Sequence, residues 1–285
     1  MCSKMATNTA SRVSDGLNDT FVKEVIQEGS GLHKPNEGAT CKVLITPASP
    51  LPDAEGIIGY PINTECEICL GTGTGSWSFA FDSCIESMRL GEQCRLTFDA
   101  KIITSPDGTE WVCIVYLIGF SRSKDISEMT SEEKLIRVSM LKDLGTKCFK
   151  EDRIEQAELF YLRGLKYVIT IGEQKDNRQK LLLSLNIAAC QLKQKHYDGV
   201  IIHCTKALNI DSNSTKALFR RGQAFVELQD YELAQSDFDK CLQLEPNNKA
   251  VQNQVILLSA KRKKLDAHYA HTMSKMFGKS TAEKH

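Results

Sequence analysis

The sequence predicts two domains of different class: an α+β domain built on an antiparallel sheet with a short helix, then an all-α superhelix closed by a C-terminal capping helix. Three observations predict it. The 285 residues suit two domains better than one. Apolar, β-branched runs cluster before residue 121, whereas helical periodicity fills the remainder. A self-similarity 34 residues long recurs three times in the second half, and a period of that size marks stacked helical repeats.

The elements follow in order. Residues 1–19 are polar, lack the apolar run of a secretory signal and read as a disordered tail. The α+β domain is expected over 20–121, with strands at 40–45, 65–70, 92–103 and 110–120 and a short helix near 83–88. Ser105-Pro106-Asp107-Gly108 has the composition of a hairpin turn. Residues 122–137 are expected to form a linker and the start of the first helix. The repeats occupy 138–171, 181–214 and 215–248, with a polar insert at 172–180. A capping helix over 249–277 and a tail at 278–285 complete the chain.

The repeats are spelled as close helix packing requires. Their eighth positions are Gly145, Ala188 and Gly222, and their twentieth are Ala157, Val200 and Ala234. Small side chains there let the two helices of a pair approach, while Tyr161, Cys204 and Phe238 at position twenty-four fill the wedge between neighbouring units. Position twenty-seven is Gly164, Ala207 and Cys241, and Pro246 ends the third unit because it lacks a backbone N–H. This period and spelling resemble the tetratricopeptide repeat (TPR).

The chain has 36 basic and 36 acidic side chains, unevenly placed. Residues 1–128 carry 10 basic and 17 acidic groups, and residues 129–285 carry 26 and 19, so the halves attract charge of opposite sign. Eleven scattered cysteines suit a reducing compartment, so the expected location is the cytoplasm, with the nucleus as a second site. No run has the length and apolarity of a membrane span.

Stacked pairs curve, with the first helix of each lining the inner face. Lys142 and Thr146 lie four apart on one such helix, as do Lys216 and Arg220 on another, and Asn186 lies on the helix between. Ammonium, guanidinium and amide groups on three helices suit a carboxylate ligand. The pattern resembles the carboxylate clamp of TPR co-chaperones, whose inner positions hold the acidic C-terminal Glu-Glu-Val-Asp of heat-shock protein 90 or 70. Lys142, Asn186, Lys216 and Arg220 match that family's residues. Thr146 departs, standing where the family has asparagine.

The first domain resembles the FKBP-type immunophilins, the macrolide-binding peptidyl-prolyl isomerases. The carrying residues are Val22–Gly31, Gly38–Cys41, Leu70-Gly71 and Cys84–Phe98. An FKBP domain followed by three TPR units is the architecture of the large immunophilin co-chaperones. The isomerase pocket is poorly matched: Phe81 stands at the floor usually occupied by tryptophan, and Ile45 stands at the second-strand tyrosine. The family's Phe-Asp pair has no counterpart in 51–64, and the long flap between Phe98 and Trp111 is shortened. Phe81-Asp82-Ser83 spells like that pair but falls on the helix. The resemblance is therefore strongest to the divergent FKBP-like branch that has lost most of its pocket. It implies an adaptor docking on heat-shock protein 90, with heat-shock protein 70 as second candidate, and no catalytic residues. An active isomerase targeted by its repeats is the alternative.

Other signals are weaker. Cys66-Glu67-Ile68-Cys69 has ligand spacing but no second pair, so no metal is expected. Gly71–Gly75 lacks the Gly-Lys-Ser/Thr ending of a phosphate loop and reads as a flexible loop. The basic segment 261–277 has calmodulin-target composition, yet serves equally as a cap on the third unit, which is the preferred reading. No cofactor and no nucleic acid are expected.

Overall fold

The structure is a computed structural model that describes residues 10–12, 21–48, 53–98, 111–172 and 177–278. The chain divides between Met129 and Thr130 into two compact units.

The first unit holds a six-stranded antiparallel sheet. Its strands are β1 (Ala10–Arg12), β2 (Phe21–Gln27), β3 (Thr40–Pro47), β4 (Glu65–Cys69), β5 (Gln93–Phe98) and β6 (Trp111–Ser121), in spatial order β1-β2-β5-β6-β3-β4. Alternation along β6 explains the layer. Trp111, Cys113, Val115 and Leu117 are buried, and the residues between them are less so. The buried face receives α2 (Ser78–Ser87), which inserts Phe81, Cys84 and Ile85, and a five-residue helix α1 (Ala54–Ile58).

Three expectations change here. Ala10–Arg12 pairs with β2, so the stretch read as a disordered tail contributes an edge strand: backbone pairing there needs no apolar signal. Helix α2 begins five residues before the expected start, and α1 was not expected because its apolar content is too short to show a period. The turn at 105–108 and the end of the strand expected to reach 103 lie outside the described residues.

The second unit contains α3 (Ser131–Lys150), α4 (Ile154–Ile169), α5 (Asn177–Lys193), α6 (Tyr197–Ile210), α7 (Thr215–Glu227), α8 (Tyr231–Leu244) and α9 (Lys249–Gly278). The first six form the three pairs. Helix α3 starts ahead of its repeat because Thr130 and Glu133 make a reciprocal capping box. Gly145 and Gly222 are obligatory: a Cβ would meet the ring of Tyr161 at 2.7 Å or that of Phe238 at 2.5 Å.

The turns within the pairs repeat to the residue. Asp152, Lys195 and Gln229, each fifteenth in its unit, hold φ of 60°, 63° and 67°. The following amides of Arg153, His196 and Asp230 donate to the carbonyls of Cys148, Gln191 and Phe225, closing the same Schellman turn three times.

Helix α9 caps the array only in part. Val251 and Leu258 are buried and Leu265 is half-buried against the third unit, but Tyr269, Met273 and Met276 are exposed. The expected cap to residue 277 is therefore shortened, because α8 spans 14 residues and α9 spans 30. No helix among the described residues is long and apolar enough to cross a membrane.

Candidate functional site

The groove residues sit on α3, α5 and α7. Arg220 donates from Nη1 to the carbonyl of Leu185 at 2.8 Å, which ties α7 to the residue beside Asn186 on α5. Burial makes the Arg220 guanidinium somewhat less basic than usual, so it is held in a partly dehydrated place where a carboxylate would be strongly attracted. Lys216 lies one turn earlier on the same face and is exposed. Among the described residues, Asn186 and Lys216 have no side-chain hydrogen bond or ion pair, which leaves an amide and an ammonium available for a ligand.

The α3 contribution differs. Lys142 makes only a loose 3.7 Å approach to Asp143. Thr146 donates its hydroxyl proton to the Lys142 carbonyl at 2.8 Å. The 3.2 Å contact with Tyr161 then has the phenol as donor, so the Thr146 proton is already used. The structure thus ties Arg220 to the α5 backbone at Leu185, places Lys216 one turn before Arg220, and turns Thr146 back onto α3 and α4.

On the same helix lies a partly buried ion pair that the sequence did not announce. Arg221 binds Asp237 in a bidentate fork at 2.7 and 2.8 Å and Thr205 at 3.1 Å, joining α7, α8 and α6. Asp237 raises the Arg221 guanidinium further. Two adjacent arginines therefore make different contacts: Arg221 joins α6, α7 and α8, and Arg220 donates to the α5 backbone. Their one-residue offset, about 100° on a helix, was the available signal. His203 is buried with Nδ1 unpartnered, and burial pulls its imidazole down to about 4.

In the first unit the aromatic side chains contact one another. Trp77 stacks on Phe98 at 4.2 Å, and Phe81 lies 5.5 Å from the same ring. Asp82, read as a coincidental match, is buried. It accepts from Tyr60 Oη at 2.5 Å and from the amide of Gly71 at 3.0 Å. The Gly73 amide donates to Tyr60 Oη at 3.2 Å, and Ser78 Oγ donates to the carbonyls of Gly73 and Gly75. The glycine run is therefore a packed junction, not a flexible loop. A Cβ on Gly75 would stand 2.3 Å from the Gly59 amide nitrogen.

Ten cysteines are described, all as free thiols, and eight are buried. Burial pushes those of Cys41, Cys190 and Cys204 up to about 12, so they act as small apolar groups. Among the described residues no three His, Cys, Asp or Glu side chains are grouped as a metal site would need.

Comparisons with known proteins bear on both units. Residues 215–248 match the family model of the tetratricopeptide repeat. Human peptidyl-prolyl cis-trans isomerase FKBP4 is 32% identical over 288 residues, covering 92% of this chain and 61% of that protein. The chain thus spans about three fifths of the length of that relative. Mouse FK506-binding protein-like is 29% identical, covering 90% of this chain and 71% of its own length. A crystal structure of residues 1–211 of the protein CG17282 aligns with a TM-score of 0.53 over 68% of this chain and 98% of that one. At 17% identity, that likeness concerns the fold alone.

Proposed function

From its likeness to FKBP-type immunophilins that carry tetratricopeptide repeats, and from its groove, we propose that this chain is a co-chaperone adaptor of that family. Lys142, Asn186, Lys216 and Arg220 hold the terminal aspartate of an acidic chaperone tail, that of heat-shock protein 90 first and heat-shock protein 70 second. The carrying observation is the bond from Arg220 on α7 to the Leu185 carbonyl on α5, next in sequence to Asn186, with Lys216 exposed one turn away. A C-terminal aspartate presents two carboxylates, and each charge-assisted bond contributes about 1.5–3 kcal/mol before ordering costs. Desolvation and ordering of a flexible tail offset most of that, leaving micromolar affinity.

The test is calorimetric titration of the full chain with peptides ending Glu-Glu-Val-Asp. Lys216→Ala is expected to weaken binding by at least about tenfold with the circular dichroism unchanged, because Lys216 is exposed. Unaltered affinity in both Lys216→Ala and Arg220→Ala rules out the clamp.

The first unit, in this reading, contacts partners or clients and does not catalyse prolyl isomerisation. Supporting it, Trp77, Phe81 and Phe98 are buried against one another, whereas a prolyl cradle needs aromatic surface turned toward a ligand. The second reading, an active isomerase, is favoured by the name of the human relative. Uncatalysed isomerisation takes tens of seconds, so a proline-peptide assay separates the two. The adaptor reading expects the uncatalysed rate at micromolar protein, and acceleration of an ordinary immunophilin's size favours the enzyme.

A further inference from the structure

Spacing in the sequence and contact in the fold pick out different cysteines. Cys66 and Cys69 are spaced as ligands, yet their thiols approach different carbonyls, that of Cys66 reaching Val43 at 3.9 Å and that of Cys69 reaching Gly38 at 3.6 Å. The thiols that meet are ten residues apart. Cys84 on α2 and Cys94 on β5 bring their Sγ atoms to 3.5 Å, and Cys94 Sγ lies 3.8 Å from Met88 Sδ. All three side chains are buried, and both cysteines are free thiols. A disulfide is about 2.05 Å long, so a closure of about 1.5 Å separates this contact from a bond.

The surroundings of Cys84 suit an attacking sulfur. Ser87 Oγ donates to the Cys84 carbonyl at 2.6 Å and accepts from Lys23 Nζ at 2.8 Å. Lys23 is itself buried, so its ammonium acts in a poorly hydrated place. Burial and the neighbouring Cys94 push the Cys84 thiol well above its ordinary value, and the Lys23 ammonium pulls the other way by favouring the thiolate. Access is set by α2. Cys84 lies in the last turn of that helix, whose C-cap is Met88, and helix ends are where local opening is easiest.

We infer that Cys84 and Cys94 are an oxidation site for hydrogen peroxide, which closes them into a disulfide that staples α2 to β5. In the first step the Cys84 sulfur attacks one peroxide oxygen. The O–O bond breaks, the sulfur becomes a sulfenic acid, and the second oxygen leaves as water with the thiol proton. In the second step the Cys94 sulfur attacks the Cys84 sulfur. The S–O bond breaks, and the oxygen leaves as a second water with the Cys94 proton. Two thiols are oxidised and one peroxide is reduced to two waters. The site lies wholly within the sheet unit and does not rest on the adaptor reading.

The experiment is peptide mapping of the full chain after treatment with hydrogen peroxide. Arg89 lies between the two cysteines, so tryptic cleavage there leaves them on separate peptides that only a disulfide joins. The joined pair is expected, about 2 Da lighter than its two free peptides together, and dithiothreitol should separate it. Cys94→Ala, which keeps a small side chain at the buried position, should abolish the joined pair. In calorimetry the oxidised sheet unit is expected to melt at least about 5 °C above the reduced one, because a closed loop restricts the unfolded chain. Recovery of the two peptides unlinked while other thiols are oxidised overturns the site. So does a bond from either cysteine to a different one, or an oxidised unit that melts no higher. These readings are made on the unaltered chain, so they decide the matter whether or not the core variant folds.

Discussion

The two units use the same kinds of residue in opposite directions. In the sheet unit the polar groups with chemical potential are turned inward. Asp82 is bound by Tyr60 and Gly71, and Lys23 is buried at 2.6 Å from Glu92 and 2.8 Å from Ser87 Oγ. In the helical unit Arg221 is committed to Asp237 and Thr205, whereas Lys216 on the same helix is exposed and has no side-chain partner among the described residues. The sheet unit uses these polar side chains to fix its own shape, and the helical unit leaves some of its own available to solvent.

That contrast can be broken most severely at Asp237. Asp237→Ala removes the bidentate partner of the half-buried Arg221 guanidinium and leaves it Thr205, and the expected loss is about 2–4 kcal/mol in urea unfolding of the array. A loss below 1 kcal/mol would mean that Arg221 escapes to solvent and is not an interior residue.

Acid probes the same interior. The His203 imidazole is depressed to about 4 in the folded state, so between its unfolded value near 6.5 and about 4 the unfolded chain binds more protons. Stability falls as pH drops through that window, by up to about 3 kcal/mol, and is fully present above it. His203→Phe should flatten that dependence in thermal melts followed from pH 7 to pH 4.

In the sheet unit, Tyr60→Phe removes the phenol that donates to the Asp82 carboxylate. The expected cost is about 1.5–3 kcal/mol, with no change in tail-peptide affinity. A changed affinity would show that the halves are not separate in function.

The smallest effect sharpens the groove. Thr146→Asn supplies an amide donor where the hydroxyl proton is spent on the Lys142 carbonyl, and should tighten tail binding by about two- to fivefold, under 1 kcal/mol.

Much of this was legible in the sequence where physics is local. The repeat boundaries follow from small residues at positions eight and twenty, which the packing of Gly145 on Tyr161 and of Gly222 on Phe238 requires. The early start of α3 was also written locally, as Thr130 and Glu133 three residues apart. Less legible were contacts that exist only after folding. Tyr60 and Asp82 are 22 residues apart, and nothing near either one announces the other. The glycine run looked flexible because glycine also serves where backbones must touch, as Gly75 does against Gly59. At the groove, spacing named the residues and their helices. It could not show that Thr146 bonds to its own helix.

The three Schellman turns have a consequence of their own. A left-handed backbone costs a residue with a side chain about 1 kcal/mol relative to glycine, and each turn places such a residue there. Asp152, Lys195 and Gln229 thus each forgo a stability that glycine would provide. Thermal resilience of the array is therefore forgone at the same backbone angle in all three units.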